Sequence, residues 1–556
     1  MVRRLDFSMR LVSLLFFAVA VFFYGWNSDD AYHSYIMAKH LVEGKGLVYN
    51  TGFRVTASTS PLLTLTEALV FLFTDNVDAC GLLIGFSFSV AAAWILLFRI
   101  CLTPVVALFV SGLMVASGCF LSFTTSGLEN PMLFFFGAVF FDVYFHKANL
   151  SMWGLFTLSV LMSLIAMTRT DSILIFAPMA VWAYIARTKI SWSMRAVLGI
   201  AGLSLFIIWI GFSVFYYGFP FPNTYYAKLY TGIPVSEYII RGLKYYPASW
   251  LVDPMLFLVP VLVICIAVAK WNKAYIPLFI GLSLYCLYVV SIGGDFMAGR
   301  HLTQQYFLLL CLYAFLVGGI GCPVKGALQS SDRKFFYLTN LFIVNIILVG
   351  SIINYCIPKI GDGWPVANDV VDERYFYLSY GGELPMFTSL RSSVDGGDNA
   401  TKFRDEFRRS RIFQAYKNGD KGLCFGSSSE EIDNPKLFAY VLFGKDIFAS
   451  LDLDMYLTDV IALQDPLMAR LKVNSPGNWR VGHIIREIPR GYNETLASGE
   501  NRIENPSLHA YYDKLLLVMK GPLFDRNRLL TILDFNCGEY DGLLEQYERD
   551  RLATCE

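Results

Sequence analysis

Asp29 and Asp30 stand side by side in Trp26-Asn27-Ser28-Asp29-Asp30-Ala31-Tyr32, directly behind the first apolar stretch of the chain. A carboxylate pair beside hydrocarbon is costly unless it is solvated, paired or used, so the doublet marks a catalytic base at a membrane surface. The competing reading is local, with either acid capping a helix that begins near Tyr32. Further polar motifs follow: His33; Thr56-Ala57-Ser58-Thr59-Ser60-Pro61; Thr124-Thr125-Ser126-Gly127-Leu128-Glu129; Thr168-Arg169-Thr170-Asp171; Pro222-Asn223-Thr224-Tyr225-Tyr226-Ala227-Lys228; and Gly293-Gly294-Asp295-Phe296-Met297-Ala298-Gly299-Arg300-His301. Singly, each has a structural explanation: Glu129 suits a helix N-terminus, Arg169 pairs with Asp171, and Asp295 pairs with Arg300. Their repeated acid-plus-base character points instead to one shared polar cavity.

The elements that must hold these groups are membrane helices. The 556 residues are 55% hydrophobic and only 16% charged, with a mean hydropathy of +0.49, which an ordinary soluble domain does not show. Apolar stretches near the bilayer-crossing length of about 20 residues predict eleven spans. They lie near 9–26, 79–98, 103–123, 131–145, 151–167, 172–186, 195–216, 253–269, 274–292, 303–321 and 335–356. The stretch from Pro61 to Thr74 is too short to cross and reads as an interfacial or re-entrant helix. With Arg3, Arg4 and Arg10 marking a cytoplasmic start, the inner loops carry Arg99, His146-Lys147, Arg187/Lys189/Arg195, Lys270/Lys273 and Lys325/Arg333/Lys334, as the positive-inside rule requires. The polar motifs then all fall on the outer face. A signal peptide at 1–26 is the weaker reading, because no small-residue cleavage site follows its apolar core.

Residues 1–356 are thus expected to form a polytopic α-helical membrane domain. Residues 357–556 combine short β-like runs, Gly/Pro/Asp turns and aromatics such as Trp364, Tyr375, Trp479, Tyr511 and Tyr512, and predict an extracytoplasmic α+β or β-rich domain whose aromatics pack in its core, with stacking on the sugars of an acceptor the alternative. Cysteines are scattered, without metal-site spacing. No G-x-G-x-x-G or Walker loop is present, so any group donor comes from elsewhere, and nothing points to nucleic acid. An outer cavity suits glycosyl transfer from a polyprenyl-phosphate sugar. A carboxylate would take the acceptor hydroxyl proton as the oxygen attacks the anomeric carbon, through an oxocarbenium-like transition state. Arg169, Lys228, Arg300 and His301 would neutralise the departing phosphate.

The motifs also carry a resemblance: D-D-x-Y/F at Asp29, G-x-G-L-V-x-N-x-G-x-R-V over residues 44–55, T-S-P-L at Thr59, T-S-G-L-E at Thr125, P-N-T-x-Y-A-K at Pro222 and G-G-D-F-M-x-x-R at Gly293. It continues through Leu463-Gln464-Asp465-Pro466-Leu467-Met468-Ala469-Arg470-Leu471, Trp479-Arg480-Val481-Gly482-His483 and Ile488-Pro489-Arg490-Gly491-Tyr492. The chain resembles the terminal (β-1,2) arabinofuranosyltransferases of mycobacterial and corynebacterial cell walls, within the GT-C class of membrane glycosyltransferases. That resemblance implies a decaprenyl-phosphate arabinose or similar donor, an inverting single displacement, and a base in the first outer loop at Asp29 or Asp30. The donor-binding set is then Arg169, Asp171, Asn223, Tyr226, Lys228, Asp295, Arg300 and His301, with His33, Ser60 and Glu129 lining the rest of the cavity. No cofactor is firmly expected, and a divalent cation on the donor phosphate is left open. The implied setting is a bacterial inner membrane, with a surface glycan or glycoprotein as acceptor. Plentiful lysine, isoleucine and phenylalanine depart from an alanine-heavy actinobacterial composition, so the alternative is another polyprenyl-phosphate sugar transferred to a pilin or lipopolysaccharide. A lipid-linked saccharide flippase fits less well, because its path would need charges within several spans.

Overall fold

The computed structural model describes residues 2–146, 149–318, 366–367, 369–379, 437–439, 456–459, 461–473 and 479–554. Most of these residues are helical. Every stretch expected to span, from 9–26 to 303–321, coincides with helix. These are Val2–Tyr24, Val77–Ile95 with the π-helical turn Leu96–Ile100, Pro104–Ala116, Asn130–His146, Met152–Thr168, Ile173–Ala186, Trp192–Tyr217, Met255–Ala269, Ile276–Ser291 and Arg300–Gly318. The stretch at 335–356, the boundary at 356/357 and Trp364 lie outside the described residues.

Among the described residues, four helical segments are long and apolar enough to cross a bilayer: Arg4–Tyr24, Val77–Ile100, Trp192–Tyr217 and Lys273–Ser291. The pair Val235–Val252 and Met255–Ala269, bent by 100°, makes a fifth if it counts as one span. The chain is a multi-pass membrane protein. Trp192–Tyr217 leaves Val197 and Ile200 exposed at 58% and 67%, a surface suited to lipid rather than water. Other expected spans are shorter helices. The stretch 103–123 is split at Ser117, whose hydroxyl accepts from Phe120 N and starts the separate helix Gly118–Ser122. Pro61–Phe71 is a short helix with Leu65 and Leu69 exposed and Leu63, Ala68 and Phe71 buried.

The chain divides into two compact units. The first comprises Met1–Ser28, Asp78–Phe206 and Val235–Leu390, and the second Asp29–Val77, Ile207–Pro234 and Arg391–Glu556. In the first, Arg300–Gly318 packs against Asn130–His146 and Met255–Ala269. Its centre is aromatic: Phe120 lies 4.9 Å from Phe134 and 5.6 Å from Tyr306, ring centre to ring centre, and stacks on Phe307. In the second, Leu467, Met468, Tyr492, Leu508, Tyr511, Tyr512, Leu515 and Met519 form a buried core.

The β-rich alternative for the C-terminal region is not seen among the described residues. Strands there are limited to Leu437–Ala439 paired in parallel with Tyr456–Thr458, and farther upstream Val366–Ala367 paired antiparallel with Val370–Val371. Helices Tyr492–Ser498, Pro506–Lys520, Arg526–Cys537 and Asp541–Thr554 dominate instead. The turn-forming residues that suggested strands are helix ends: Asn505 accepts from Ser507 N and Leu508 N, Asp525 accepts from Arg528 N, and Gly538 closes a helix at φ 82°.

Candidate functional site

Each unit holds its own polar cluster. In the first, Glu129 is 2% exposed and stands directly before the helix Asn130–His146. Its Oε1 accepts from Arg169 Nη1 at 2.5 Å and from Arg300 Nη2 at 3.2 Å. Arg169 Nε also donates to Asp171 Oδ1 at 2.8 Å. Arg300 Nη1 lies 3.7 Å from Asp295 Oδ2, and His301 Nε2 lies 3.4 Å from the same oxygen. The Tyr285 hydroxyl is 2.9 Å from His301 Nδ1. Burial pushes the Glu129 carboxyl up, but Arg300 and Arg169 outweigh it and hold the group down at about 2. Three carboxylates therefore engage the two guanidiniums, so both cations already have protein partners.

Two glycines position this cluster. A Cβ on Gly85 would meet Thr124 O and Thr125 Cα at 2.8 Å, so only glycine lets the helix Val77–Ile95 approach the 124–129 loop. Gly299, at φ +72°, turns the chain into the helix that starts at Arg300, where a Cβ would lie 2.6 Å from Leu256 Cδ1. Asn130 Nδ2 then ties the two helix starts together, donating to Arg300 O at 3.1 Å and Thr303 Oγ1 at 3.0 Å.

The opposite ends of these helices are basic. Arg10 donates to Leu97 O and to Cys101 O, Arg99 meets Asp142 at 2.6 Å, Arg187 donates to Tyr144 O, and Lys270 Nζ donates to Leu316 O at 2.7 Å. Along Asn130–His146, Asn130 meets Arg300 whereas Asp142 meets Arg99. This is the polarity that the positive-inside reading of the loops at 99, 146, 187 and 270 requires. Exposed Thr170 and Lys189 flank one helix, Ile173–Ala186, with its short leading turn. Thr170→Cys and Lys189→Cys should react with an impermeant maleimide from opposite sides of the membrane. Labelling of both from one side would remove this orientation.

In the second unit, Asp30 occupies the N-cap of the helix Ala31–Val42, yet its carboxylate makes no capping hydrogen bond. The capping alternative therefore does not describe Asp30. Its charge acts instead on both His33 and His483, as does that of exposed Lys228. Burial is the main cause that lowers His33, against the opposing pull of Asp30 and Asp459. His33 Nδ1 is 3.1 Å from Gln464 Nε2, and its ring centre is 5.7 Å from that of Tyr49. Burial, then Arg480, lowers His483, whose ring accepts from Arg480 Nη2 at 2.9 Å as a neutral imidazole can. Asp29 belongs to the same group: burial chiefly, then Asp459 and Asp29, raise the Tyr49 phenol. That phenol is buried without a hydrogen-bond partner among the described residues.

Asn223 and Tyr226 serve the frame around these groups. Asn223 Nδ2 lies 3.1, 3.2 and 3.0 Å from the carbonyl oxygens of Ala462, Leu463 and Asp465, and its Oδ1 accepts from Arg470 Nη1 at 3.4 Å. Its amide is committed to the 462–465 turn. The Arg470 guanidinium lies 4.7 Å from the Tyr226 ring centre and 4.1 Å from that of Phe219. Ser60 is buried at the start of Pro61–Phe71, with no partner for its hydroxyl among the described residues.

Asp465 supports the same turn. It accepts from Leu467 N at 3.0 Å, Met468 N at 2.9 Å and the Tyr492 hydroxyl at 2.9 Å, yet burial pushes it up to about 6. A carboxyl raised above its ordinary 3.8 contributes stability that is complete below that value and lost as pH rises through about 6. Asp465→Asn should flatten the decline in thermal stability between those two pH values. Parallel melting profiles for variant and parent would contradict this.

The structure thus joins Asp29, Asp30, His33 and Lys228 in one group, and Glu129, Arg169, Asp171, Asp295, Arg300 and His301 in another. It adds Tyr49, Asp459, Gln464, Arg480 and His483 to the first group, and Tyr285 to the second. Gln464, Arg480 and His483 stand in motifs visible in the sequence, but nothing in the sequence joins them to His33. Among the described residues, no three His, Cys, Asp or Glu side chains form a group able to hold a metal ion.

No family model matches the chain. A stretch of 78 residues is 28% identical to uroplakin-1b of Rattus norvegicus and, equally, of Mus musculus, covering 14% of this chain and 28% of each relative. The chain therefore spans just over a quarter of the length of the curated relatives it matches. No solved structure matches it.

Proposed function

We propose that the protein is an inverting GT-C membrane glycosyltransferase with about eleven crossings and an extracytoplasmic C-terminal domain. It would move D-arabinofuranose from a polyprenyl-phosphate donor to a surface glycan or glycoprotein, at the outer face of a bacterial inner membrane. The carrying observation is Asp30, which forgoes the cap of its own helix and shares a cluster with Lys228 and two histidines, His33 and His483, that burial pushes down. Asp29 is the base in this reading. It takes the acceptor hydroxyl proton as that oxygen bonds to the anomeric carbon, and the bond from that carbon to the phosphate oxygen breaks to release polyprenyl phosphate. Asp30 orients the acceptor or binds donor hydroxyls, and Lys228 with Arg480 supplies positive charge for the leaving phosphate. Glu129, Arg169, Asp171, Asp295, Arg300 and His301 form the polar framework of the first unit. Their assignment to the donor requires phosphate to replace a carboxylate partner, most readily Asp295, whose contacts with Arg300 and His301 are the longest of the set.

The test uses the full chain in lipid nanodiscs with a radiolabelled polyprenyl-phosphoryl pentose and a membrane extract as acceptor. Release of polyprenyl phosphate with label in the acceptor supports transfer. Movement of intact donor across vesicles without release would instead make the protein a flippase.

A further inference from the structure

The first unit contains a groove of about 760 Å³ that belongs to neither polar cluster. Leu14, Phe86, Trp94, Phe135 and Val139 line it, and Arg99 with Asp142 stands at one end. We propose that it holds one acyl chain of an anionic glycerophospholipid, with the lipid phosphate on Arg99. This inference is independent of the proposed transfer reaction.

The apolar part follows from the solvent. The lining residues named are only half-buried, apart from the more exposed Trp94, so the groove opens outward on helices that lie in a bilayer. An apolar recess beside lipid tails gains dispersion contacts by taking one in and forfeits them if empty. Phe86 to Arg99 spans about 20 Å at about 1.5 Å per residue. One leaflet contributes about half of a hydrocarbon core of about 30 Å, so the groove matches a single-leaflet chain and is short for a polyprenyl tail.

Charge and local geometry name the headgroup. The Arg99 side chain is 51% exposed, while Asp142 behind it is 8% exposed. Arg99 Nε and Nη2 both bond the single oxygen Asp142 Oδ2, at 2.8 and 2.6 Å, which leaves further guanidinium donors for a phosphate. His146 Nδ1 lies 3.6 Å from the other Asp142 oxygen and, when protonated, adds to the same charge. Arg99 stands within the π-helical turn Leu96–Ile100, a distortion found often at functional sites. This is the basic end of the unit, the end that meets the anionic cytoplasmic leaflet under the positive-inside orientation.

Full-length protein, stripped of lipid in detergent, would be incubated with equimolar phosphatidylglycerol and phosphatidylcholine and weighed by native mass spectrometry. The expected result is one retained phosphatidylglycerol, preferred by about fivefold as one basic residue at an anionic surface suggests. Arg99→Gln/Asp142→Asn, which removes both charges together, should lose the preference but keep a bound lipid. Val139→Trp should fill the groove and lose the lipid at an unchanged melting temperature. Equal retention of both lipids by the parent, or full retention by Val139→Trp, would overturn the site. Displacement of phosphatidylglycerol by equimolar polyprenyl phosphate would overturn the choice of occupant.

Discussion

Asp29→Asn is expected to lower sugar transfer by about 10²–10⁴-fold, the range typical of losing a general base, while donor binding survives. The amide keeps the shape and most of the hydrogen bonding of the carboxylate but cannot take the acceptor proton. Binding should hold or improve, because one negative charge near an anionic phosphate is gone. Asp30→Asn should act differently: its charge is felt by His33 and His483, so losing it alters the field around both rings rather than removing the base. Turnover and donor binding must be measured separately in the two variants. A fully active Asp29 variant beside a dead Asp30 variant moves the base by one residue. Two active variants remove the mechanism.

What the sequence reveals here follows from the range of the interactions involved. Apolar periodicity and length are local, so each stretch from 9–26 to 303–321 coincides with a helix. The breaks are less visible, because Ser117 divides 103–123 through a hydroxyl that accepts from Phe120 N and donates to Asp253 Oδ2, which a hydropathy average does not register. The helix Val235–Val252 escapes the same reading. It carries Glu237, Arg241 and Lys244 with Pro247 inside, so its apolar residues keep to one face and form no continuous apolar stretch. Even so, it delivers Tyr245, whose hydroxyl donates to Met297 O at 3.2 Å beside the Asp295–His301 loop. The pairing of Arg169 with Asp171 spans two residues and is legible. That of His33 with Gln464 spans 431 positions, and no local pattern encodes it. Near partners are readable, as for Arg169 with Asp171 and Arg300 with Asp295, but Glu129, which the structure places between the two cations, is 40 and 171 positions away from them.

That placement gives Glu129→Gln a large expected effect on stability. The substitution preserves volume but leaves Arg169 and Arg300 beside a neutral amide in a site where the acid is 2% exposed. Breaking a buried ion pair from one side typically costs about 3–5 kcal/mol, because the remaining charge keeps its desolvation penalty. The pH argument gives a similar size. A carboxyl held at about 2 in the folded protein against an ordinary 4.5 corresponds to about 3 kcal/mol. The contribution of a depressed carboxyl is complete above its ordinary value and lost as pH falls through its folded value. The parent should therefore lose thermal stability as pH falls from about 4.5 toward about 2, and Glu129→Gln should start lower and lose less over that range. Melting of detergent-solubilised protein across that range reads both effects. An unchanged melting temperature in Glu129→Gln, together with weakened donor use, would make this cluster a phosphate-binding site rather than a framework. Arg169 and Arg300 would then keep their places through their other contacts, and Glu129 would serve to aim both guanidiniums at the phosphate.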